Sequence, residues 1–226
     1  MKLSKQELET MEAYDQNAKA WAGSRNVKGY WKKEMDKFFQ YLPSGKLLEV
    51  GAGGGRDARE FIERGYEYIG IDISQGLLSE ARKNNPGATF LEQSLYELDF
   101  PETTFDGIWA CATLLHMPKD RIDEALQSIK IVTKDKGILG ITLKKGSGER
   151  FVEGDHVGMN YKRFFSFYEE NEFAEILKRN GFEVLESYET EHSNKPWLVF
   201  IAKLDKKLSD PSGNRTRDFR DESPTS

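Results

Sequence analysis

The feature that most constrains this chain is the segment 46–59, which reads KLLEVGAGGGRDAR. A short apolar run ends in four glycines within five residues, and a helix-compatible stretch follows them. This pattern is typical of a buried strand that enters a helix through a glycine turn. Because glycine lacks a Cβ, a ligand can approach the main chain closely there, and the free N–H groups of the helix start favour an anionic group. Glu49, directly before the glycines, offers a carboxylate to a cation.

Composition limits the class of protein. The 226 residues are enough for one domain with a buried core. The sequence contains no second glycine turn of this kind, which argues against a second domain. The formal net charge of -5 gives no overall attraction for nucleic acid or for an anionic membrane. A single cysteine excludes a disulfide within the chain, and three separated histidines predict no metal site. No apolar run is long enough to span a bilayer and no signal peptide is visible, so we expect a cytoplasmic protein.

Hydrophobic periodicity predicts the elements of the first two thirds of the chain. Apolar residues three to four apart predict one amphipathic helix over residues 4–22 and a second over residues 30–41. Strand and helix patterns then alternate from residue 46 to residue 143. This alternation predicts right-handed crossovers and a parallel sheet that binds ligands at the carboxyl ends of its strands.

The last third departs from this alternation. The polar segment 144–158 is expected to be a long loop that contributes to binding, and Ser166 with Glu169 shows the capping-box pattern of another helix. The runs 182–188 and 197–202 predict two closing strands, which should pair antiparallel because their connection is short.

These patterns divide the chain into three parts. Residues 1–42 form a helical cap of the domain whose core is residues 43–204, and residues 205–226 form a tail with few apolar groups. Such a tail cannot bury a core, so we expect it to be disordered.

Asp72 is the second strong signal. It ends the apolar run 66–71, about twenty residues after the first glycine, where a carboxylate accepts hydrogen bonds from both ribose hydroxyls of a nucleoside. A dinucleotide fingerprint would require glycine at position 56, where this chain has Arg56. The spacing therefore disfavours an NAD(P)-binding oxidoreductase, which remains an alternative.

Taken together, the motifs resemble those of the class I S-adenosylmethionine-dependent methyltransferases over residues 14–203. The resemblance implies a Rossmann-like three-layer α/β sandwich with a seven-stranded, mostly parallel sheet that has a C-terminal antiparallel strand. It also implies S-adenosylmethionine as the cofactor. The motifs that carry it are EVGAGGGRD at 49–57, GIDIS at 70–74, FDGIWACATLLHMP at 105–118 and NGFEV at 180–184.

The resemblance assigns roles along the cofactor. Glu49 should pair with the ammonium group, Asp72 should hold the ribose and Ile73 should pack on the adenine. The family often has an acidic residue after the third strand, and Ser94 and Leu95 stand there instead. The expected cofactor contacts are Tyr14, Trp21, Arg25, Glu49, Gly51, Ala52, Gly53, Asp72, Ile73, Ser94, Leu95, Ala110 and Cys111.

Methyl transfer requires alignment, exclusion of water and, for a weak nucleophile, removal of a proton. His116 is the candidate catalytic base, and simple packing before Pro118 is the alternative interpretation. Lys144 and Arg163 would favour an anionic acceptor if they face the pocket, but the sequence alone favours a solvated surface charge for each. The expected acceptor pocket comprises Tyr14, Trp21, Arg25, Lys144, Arg163, Phe165 and Tyr168.

We therefore expect a methyltransferase that acts on a small molecule, with no nucleic-acid or membrane partner. One alternative keeps the chemistry but makes RNA or protein the acceptor. Another is a protein that binds the cofactor without catalysis.

Overall fold

The computed structural model describes residues 3–25, 27–156 and 159–206, and every structural statement below concerns these residues. The helices are α1 (Lys5–Gln16), α2 (Ala18–Arg25), α3 (Lys32–Tyr41), α4 (Ala58–Glu63), α5 (Gln75–Asn84), α6 (Ile122–Val132) and α7 (Glu170–Arg179). The strands are β1 (Lys46–Val50), β2 (Glu67–Asp72), β3 (Thr89–Glu92), β4 (Phe105–Cys111), β5 (Thr133–Lys144), β6 (Glu149–His156), β7 (Met159–Ser166), β8 (Phe182–His192) and β9 (Lys195–Leu204).

Seven strands form one sheet in the order β3-β2-β1-β4-β5-β9-β8. The pairs from β3 to β5 are parallel, whereas β9 is antiparallel to both β5 and β8. The expected Rossmann-like sheet with an antiparallel strand near its C-terminal edge is confirmed. The strand order reverses between β1 and β4, which is where sheets of this kind bind ligands.

The sheet separates two hydrophobic cores. Side chains of α6 and α7 pack on one face, and side chains of α3, α4 and α5 pack on the other. Because successive side chains of a strand point to opposite faces, β4 sends Trp109 and Cys111 to one core and Ala110 to the other. The sheet with helices packed on both faces forms the predicted three-layer sandwich.

The single helix predicted over residues 4–22 is two helices. α1 begins at Lys5, one residue after the predicted start, and Ser4 caps it: its side chain accepts from the Glu7 N–H in a reciprocal capping box. It ends at Asn17, where the backbone leaves the helical region and the side-chain amide donates to the Ala13 carbonyl. An asparagine that binds its own backbone competes with the helix, which explains the break.

The long loop predicted over residues 144–158 is wrong, because β6 lies within that segment and pairs with β7 in an antiparallel hairpin. Aromatic residues supply the strand preference, as Phe151 faces Phe164 and Arg150 faces Phe165 across the pair. Gly154, which favours a loop in the sequence, leaves room for a ring: an added Cβ would lie 3.2 Å from the Tyr161 ring atoms.

Two boundaries at the C-terminal side also differ from the prediction. Glu169, rather than Ser166, caps α7, and Ser166 ends β7. The closing strands extend to His192 and Lys195, so the turn consists of Ser193 and Asn194 alone. Both turn residues have positive φ angles, 53° and 56°, as a tight hairpin turn requires.

Residues 207–226, which were expected to be disordered, lie outside the described part of the chain. None of the described helices combines the length and the apolar character needed to cross a membrane.

Candidate active site

A cavity of about 270 Å³ lies at the carboxyl ends of β1, β2, β3 and β4. The turns after these strands form its floor, and α1 and α2 cover it with Tyr14, Trp21 and Ala22. Strands β5, β7 and β9 supply Lys144, Arg163 and other side chains to its far end. The parallel sheet therefore brings together groups that are far apart in sequence.

The glycines of the turn serve two different purposes. Gly51 has φ 71°, and an added Cβ would lie 2.2 Å from the Thr113 Oγ1, which itself donates to the Val50 carbonyl at 2.8 Å. Gly53 has φ 54°, but an added Cβ would meet nothing within 4 Å. Gly51 is thus required by packing within the protein, whereas Gly53 leaves open space on the cavity side where a ligand can reach the main chain.

Asp72 is held in place by the backbone on both sides of the cavity floor. Its Oδ2 accepts the Gly53 N–H at 2.8 Å and its Oδ1 accepts the Ser74 N–H at 2.9 Å. Burial raises the pKa of Asp72, and these backbone hydrogen bonds oppose the rise. Each oxygen keeps a second lone pair, so the carboxylate is oriented to accept from a pair of neighbouring hydroxyls.

Asp15 fixes the adjoining end of α1 against this floor. Its Oδ1 accepts from the Ser74 hydroxyl and, at 2.9 Å, from the Gly76 N–H at the start of α5. A carboxylate at a helix N-terminus is favourable because the N–H groups there have no partner within the helix. The covering helix is therefore tied to the same turn that orients Asp72.

Glu49 is a buried carboxylate at the end of β1, only 3% exposed. The Tyr68 hydroxyl donates to its Oε2. Burial, reinforced by the nearby Asp57 carboxylate, raises the pKa of Glu49 well above its ordinary value. A cation in the cavity would oppose both effects, so this position fits an ammonium group.

An ion pair between Arg56 and Asp57 forms a further part of the floor. The Arg56 Nε lies 2.6 Å from the Asp57 Oδ1, and the Trp109 Nε1 donates to the Asp57 Oδ2 at 3.2 Å. The Arg56 guanidinium lies over the Tyr30 ring at 5.2 Å from its centroid. Sequence reasoning used Arg56 only as the residue that replaces a glycine. The polar pair RD directly after the glycines was the available signal.

Three side chains form a hydrogen-bonded chain on the opposite wall. The His116 Nδ1 lies 2.7 Å from the Phe164 carbonyl oxygen and so must carry the ring hydrogen. The Tyr14 hydroxyl accepts from the Arg163 Nη1 at 2.7 Å and donates to the His116 Nε2 at 2.9 Å. Burial, with the charge of Arg163, lowers the pKa of His116 to about 3. His116 is therefore neutral at pH 7, and its one lone pair is directed at Tyr14.

Most of the predicted site residues line the cavity. Ala110 does not, since its side chain is fully buried in the core on the face of β4 opposite Cys111. Tyr168 is also buried and packs on Phe173. The side chain of Arg25 lies outside the described part of the structure. The lining includes Tyr14, Trp21, Glu49, Gly51, Ala52, Gly53, Asp72, Ile73, Ser94, Leu95, Cys111, His116, Lys144, Arg163 and Phe165.

Sequence reasoning missed several aromatic residues of the lining. Trp31 follows α2 and is 2% exposed, and its ring lies 5.1 Å from that of Trp197 on β9. Tyr30 and Tyr96 line the cavity as well. No period or spacing in the sequence connects these positions, because they meet only when the N-terminal helices pack on the sheet.

Comparison with known proteins agrees with this geometry. Residues 47–137 match the family model described as a methyltransferase domain. An uncharacterised protein of Methanocaldococcus jannaschii is 25% identical over 81% of this chain and 85% of its own length. A putative methyltransferase of Bacillus subtilis is 31% identical, but the match covers 42% of this chain and 40% of that relative.

Solved structures extend the likeness over most of the chain. The 1,6-didemethyltoxoflavin-N1-methyltransferase of Burkholderia thailandensis superimposes with a TM-score of 0.67, covering 91% of this chain and 92% of that one. At 22% identity this likeness establishes the fold. The predicted resemblance to the class I S-adenosylmethionine-dependent methyltransferases is confirmed: the chain has their Rossmann-like fold and a matching methyltransferase domain, and it is an S-adenosylmethionine-dependent methyltransferase.

Proposed function

We propose that this methyltransferase acts on a small-molecule acceptor. The cavity is the observation that carries the proposal, because α1, α2 and β7 wall the space beyond the glycine turn with side chains such as Tyr14 and Trp21. A space of about 270 Å³ with such walls suits a small molecule better than a nucleic-acid strand or a folded protein. The 1,6-didemethyltoxoflavin-N1-methyltransferase with the same fold supports the proposal, since its structure contains bound 1,6-didemethyltoxoflavin and S-adenosylhomocysteine.

We propose that the floor of the cavity holds the cofactor. Glu49 pairs with the ammonium group, Gly53 gives access to the main chain and Asp72 accepts from the ribose hydroxyls. Ile73 packs on the adenine and the Ser94 hydroxyl accepts from its amino group, as the family resemblance implies. The open space at Gly53 and the raised pKa of Glu49 both fit this arrangement. When bound, the cofactor supplies a methyl group that is activated by a cationic sulfur, so the protein mainly aligns the reactants and excludes water.

The general-base role of His116 remains a prediction, and the contacts support a positioning role more strongly. Its pKa of about 3 disfavours holding a proton at neutral pH. Its Nε2 already accepts from Tyr14, which in turn accepts from Arg163. His116 thus fixes the direction of the Tyr14 hydroxyl, and Tyr14 fixes Arg163 at the wall of the cavity.

Two measurements test the proposed function. Isothermal titration should show binding of S-adenosylhomocysteine to the protein and much weaker binding to the Asp72→Ala variant. The protein should then transfer label from methyl-labelled S-adenosylmethionine into the low-molecular-weight fraction of a cell extract. Label recovered in the RNA or protein fraction would contradict a small-molecule acceptor, and the absence of S-adenosylhomocysteine binding would contradict the cofactor site.

A further inference from the structure

The end of the cavity away from the glycine turn carries two cations among aromatic rings. Arg163 on β7 has its guanidinium carbon 4.6 Å from the Trp21 ring centroid and 5.0 Å from that of Phe165. Lys144, at the end of β5, has its Nζ 4.1 Å from the Phe165 centroid and 5.8 Å from that of Trp197. Both cations line the cavity, so neither is the solvated surface charge that the sequence left open.

Arg163 has no carboxylate partner within the described part of the chain. Its Nη1 donates to the Tyr14 hydroxyl, and its Nε is buried without an acceptor. Other arginines of the cavity region are neutralised, since Arg56 pairs with Asp57 at 2.6 Å and Arg121 pairs with Glu7 at 2.8 Å. Burying a cation without a counter-ion costs free energy, and an anion in the cavity would offset that cost.

Two indole groups add uncharged donors to the same region. The Nε1 atoms of Trp31 and Trp197 are buried without an acceptor, and both residues line the cavity. A buried N–H group without a partner is uncommon, so these donors favour a ligand with acceptor atoms. The rings themselves offer flat apolar surface beside the donors.

Two of the acidic residues that line the cavity, Asp57 and Glu7, are each paired with an arginine. Glu49 lies near the end of β1 and Asp72 ends β2, where they suit the ammonium and ribose groups of the cofactor. At the far end, Arg163 and Lys144 both act to keep His116 uncharged. The cavity is therefore acidic where the cofactor is proposed to lie and positive where the acceptor must enter.

We propose that the acceptor is an anion, with a carboxylate or phosphoryl group that pairs with Arg163 and Lys144 and a flat apolar body that packs against the indole rings. This proposal rests on the proposed function, because it names the substrate class of the same site. Arg163 is then a specificity-determining residue, and Tyr14 positions it.

Binding of matched probes to the protein saturated with S-adenosylhomocysteine tests the proposal. Benzoate and phenylphosphonate are the anionic probes, and benzamide is the neutral probe of similar shape. We expect at least one anion to bind about tenfold or more tightly than benzamide, and Arg163→Met to weaken that anion about 10- to 100-fold. Arg150→Met is the matched control, since Arg150 lies on the same hairpin over the Phe167 ring and outside the cavity lining.

The outcomes separate this proposal from the proposed function. Wild-type protein that fails to bind S-adenosylhomocysteine contradicts the function itself. If S-adenosylhomocysteine binds, three results would each overturn the anionic acceptor. They are equal affinity for benzamide and the anions, no binding of either anion, and full retention of anion binding by Arg163→Met. Arg163→Lys keeps the charge and should retain more anion affinity than Arg163→Met, which guards against a loss caused by misfolding. Affinity for S-adenosylhomocysteine should stay unchanged in the control Arg150→Met, and both Arg163 variants should still bind S-adenosylhomocysteine.

Discussion

Replacing Glu49 by glutamine should change stability and cofactor binding in opposite directions. The side chain is 3% exposed, and its pKa is raised by burial and by the Asp57 carboxylate. The charged form is therefore unfavourable in the protein without ligand. Glutamine has the same shape and can still accept from the Tyr68 hydroxyl, so the substitution removes the charge without opening a cavity.

The size of the binding effect follows from the type of interaction. A hydrogen bond to a charged group contributes about 1.5 to 3 kcal/mol, which corresponds to about a 10- to 100-fold weaker affinity for S-adenosylhomocysteine in Glu49→Gln. Because an ammonium group favours the ionised carboxylate, binding to the wild-type protein should also release protons. This release should disappear in the variant.

The stability effect follows from the direction of the pKa shift. A carboxyl whose folded-state pKa is raised stabilises the fold while it is protonated, and this contribution is lost as pH rises through the folded-state pKa. Glu49→Gln removes that dependence, so the unliganded variant should be at least as stable as the wild type at pH 8.

Isothermal titration in buffers of different ionisation enthalpy measures both the affinity and the proton release, and urea denaturation measures the stability. Glu67→Gln is the control, since this exposed residue pairs with Lys46 at the other end of the sheet. Unchanged affinity for S-adenosylhomocysteine in Glu49→Gln, with proton release intact, would refute the assignment of Glu49 to the ammonium group.

Three further predictions concern the walls of the cavity. Gly51→Ala should lower the free energy of unfolding by about 3 kcal/mol or more, because its Cβ would overlap Thr113 at a positive φ angle. Gly53→Ala should lower it by only about 1 kcal/mol but should weaken the binding of S-adenosylhomocysteine. Equal melting temperatures for the two variants would contradict this difference. His116 has a folded pKa of about 3 against an ordinary value of 6.5, so its contribution to stability is lost as pH falls below 6.5, and His116→Gln should flatten the dependence of melting temperature on pH between 4 and 6.5. Tyr14→Phe leaves His116 and Arg163 without their shared partner and should lower the free energy of unfolding, measured by urea denaturation, by about 1 to 3 kcal/mol. A decrease below about 0.5 kcal/mol would contradict the hydrogen-bonded chain.

The sequence by itself determined the sheet and the end of the cavity assigned to the cofactor. The glycine turn, Glu49 and Asp72 are each defined by a few neighbouring residues, and the alternation of strands and helices fixes that the strand ends converge. These signals depend on residues that are close together in the sequence: the conformations open to glycine, the residue at a strand end and the spacing of apolar residues. They can therefore be recognised from the sequence without the structure. The break of the N-terminal helix at Asn17 was also local, but the spacing of apolar residues on both sides concealed it.

Only the tertiary structure decided the acceptor end. The β6–β7 hairpin was hidden in a polar segment, because Gly154 indicates a loop until the Tyr161 ring packs over it. Tyr14 meets His116 across 102 positions and Arg163 across 149, distances over which no sequence period operates. Whether Arg163 was a solvated charge or a partly buried cation without a carboxylate partner in the described part of the chain depended on which elements packed around it, and that packing is a property of the whole fold.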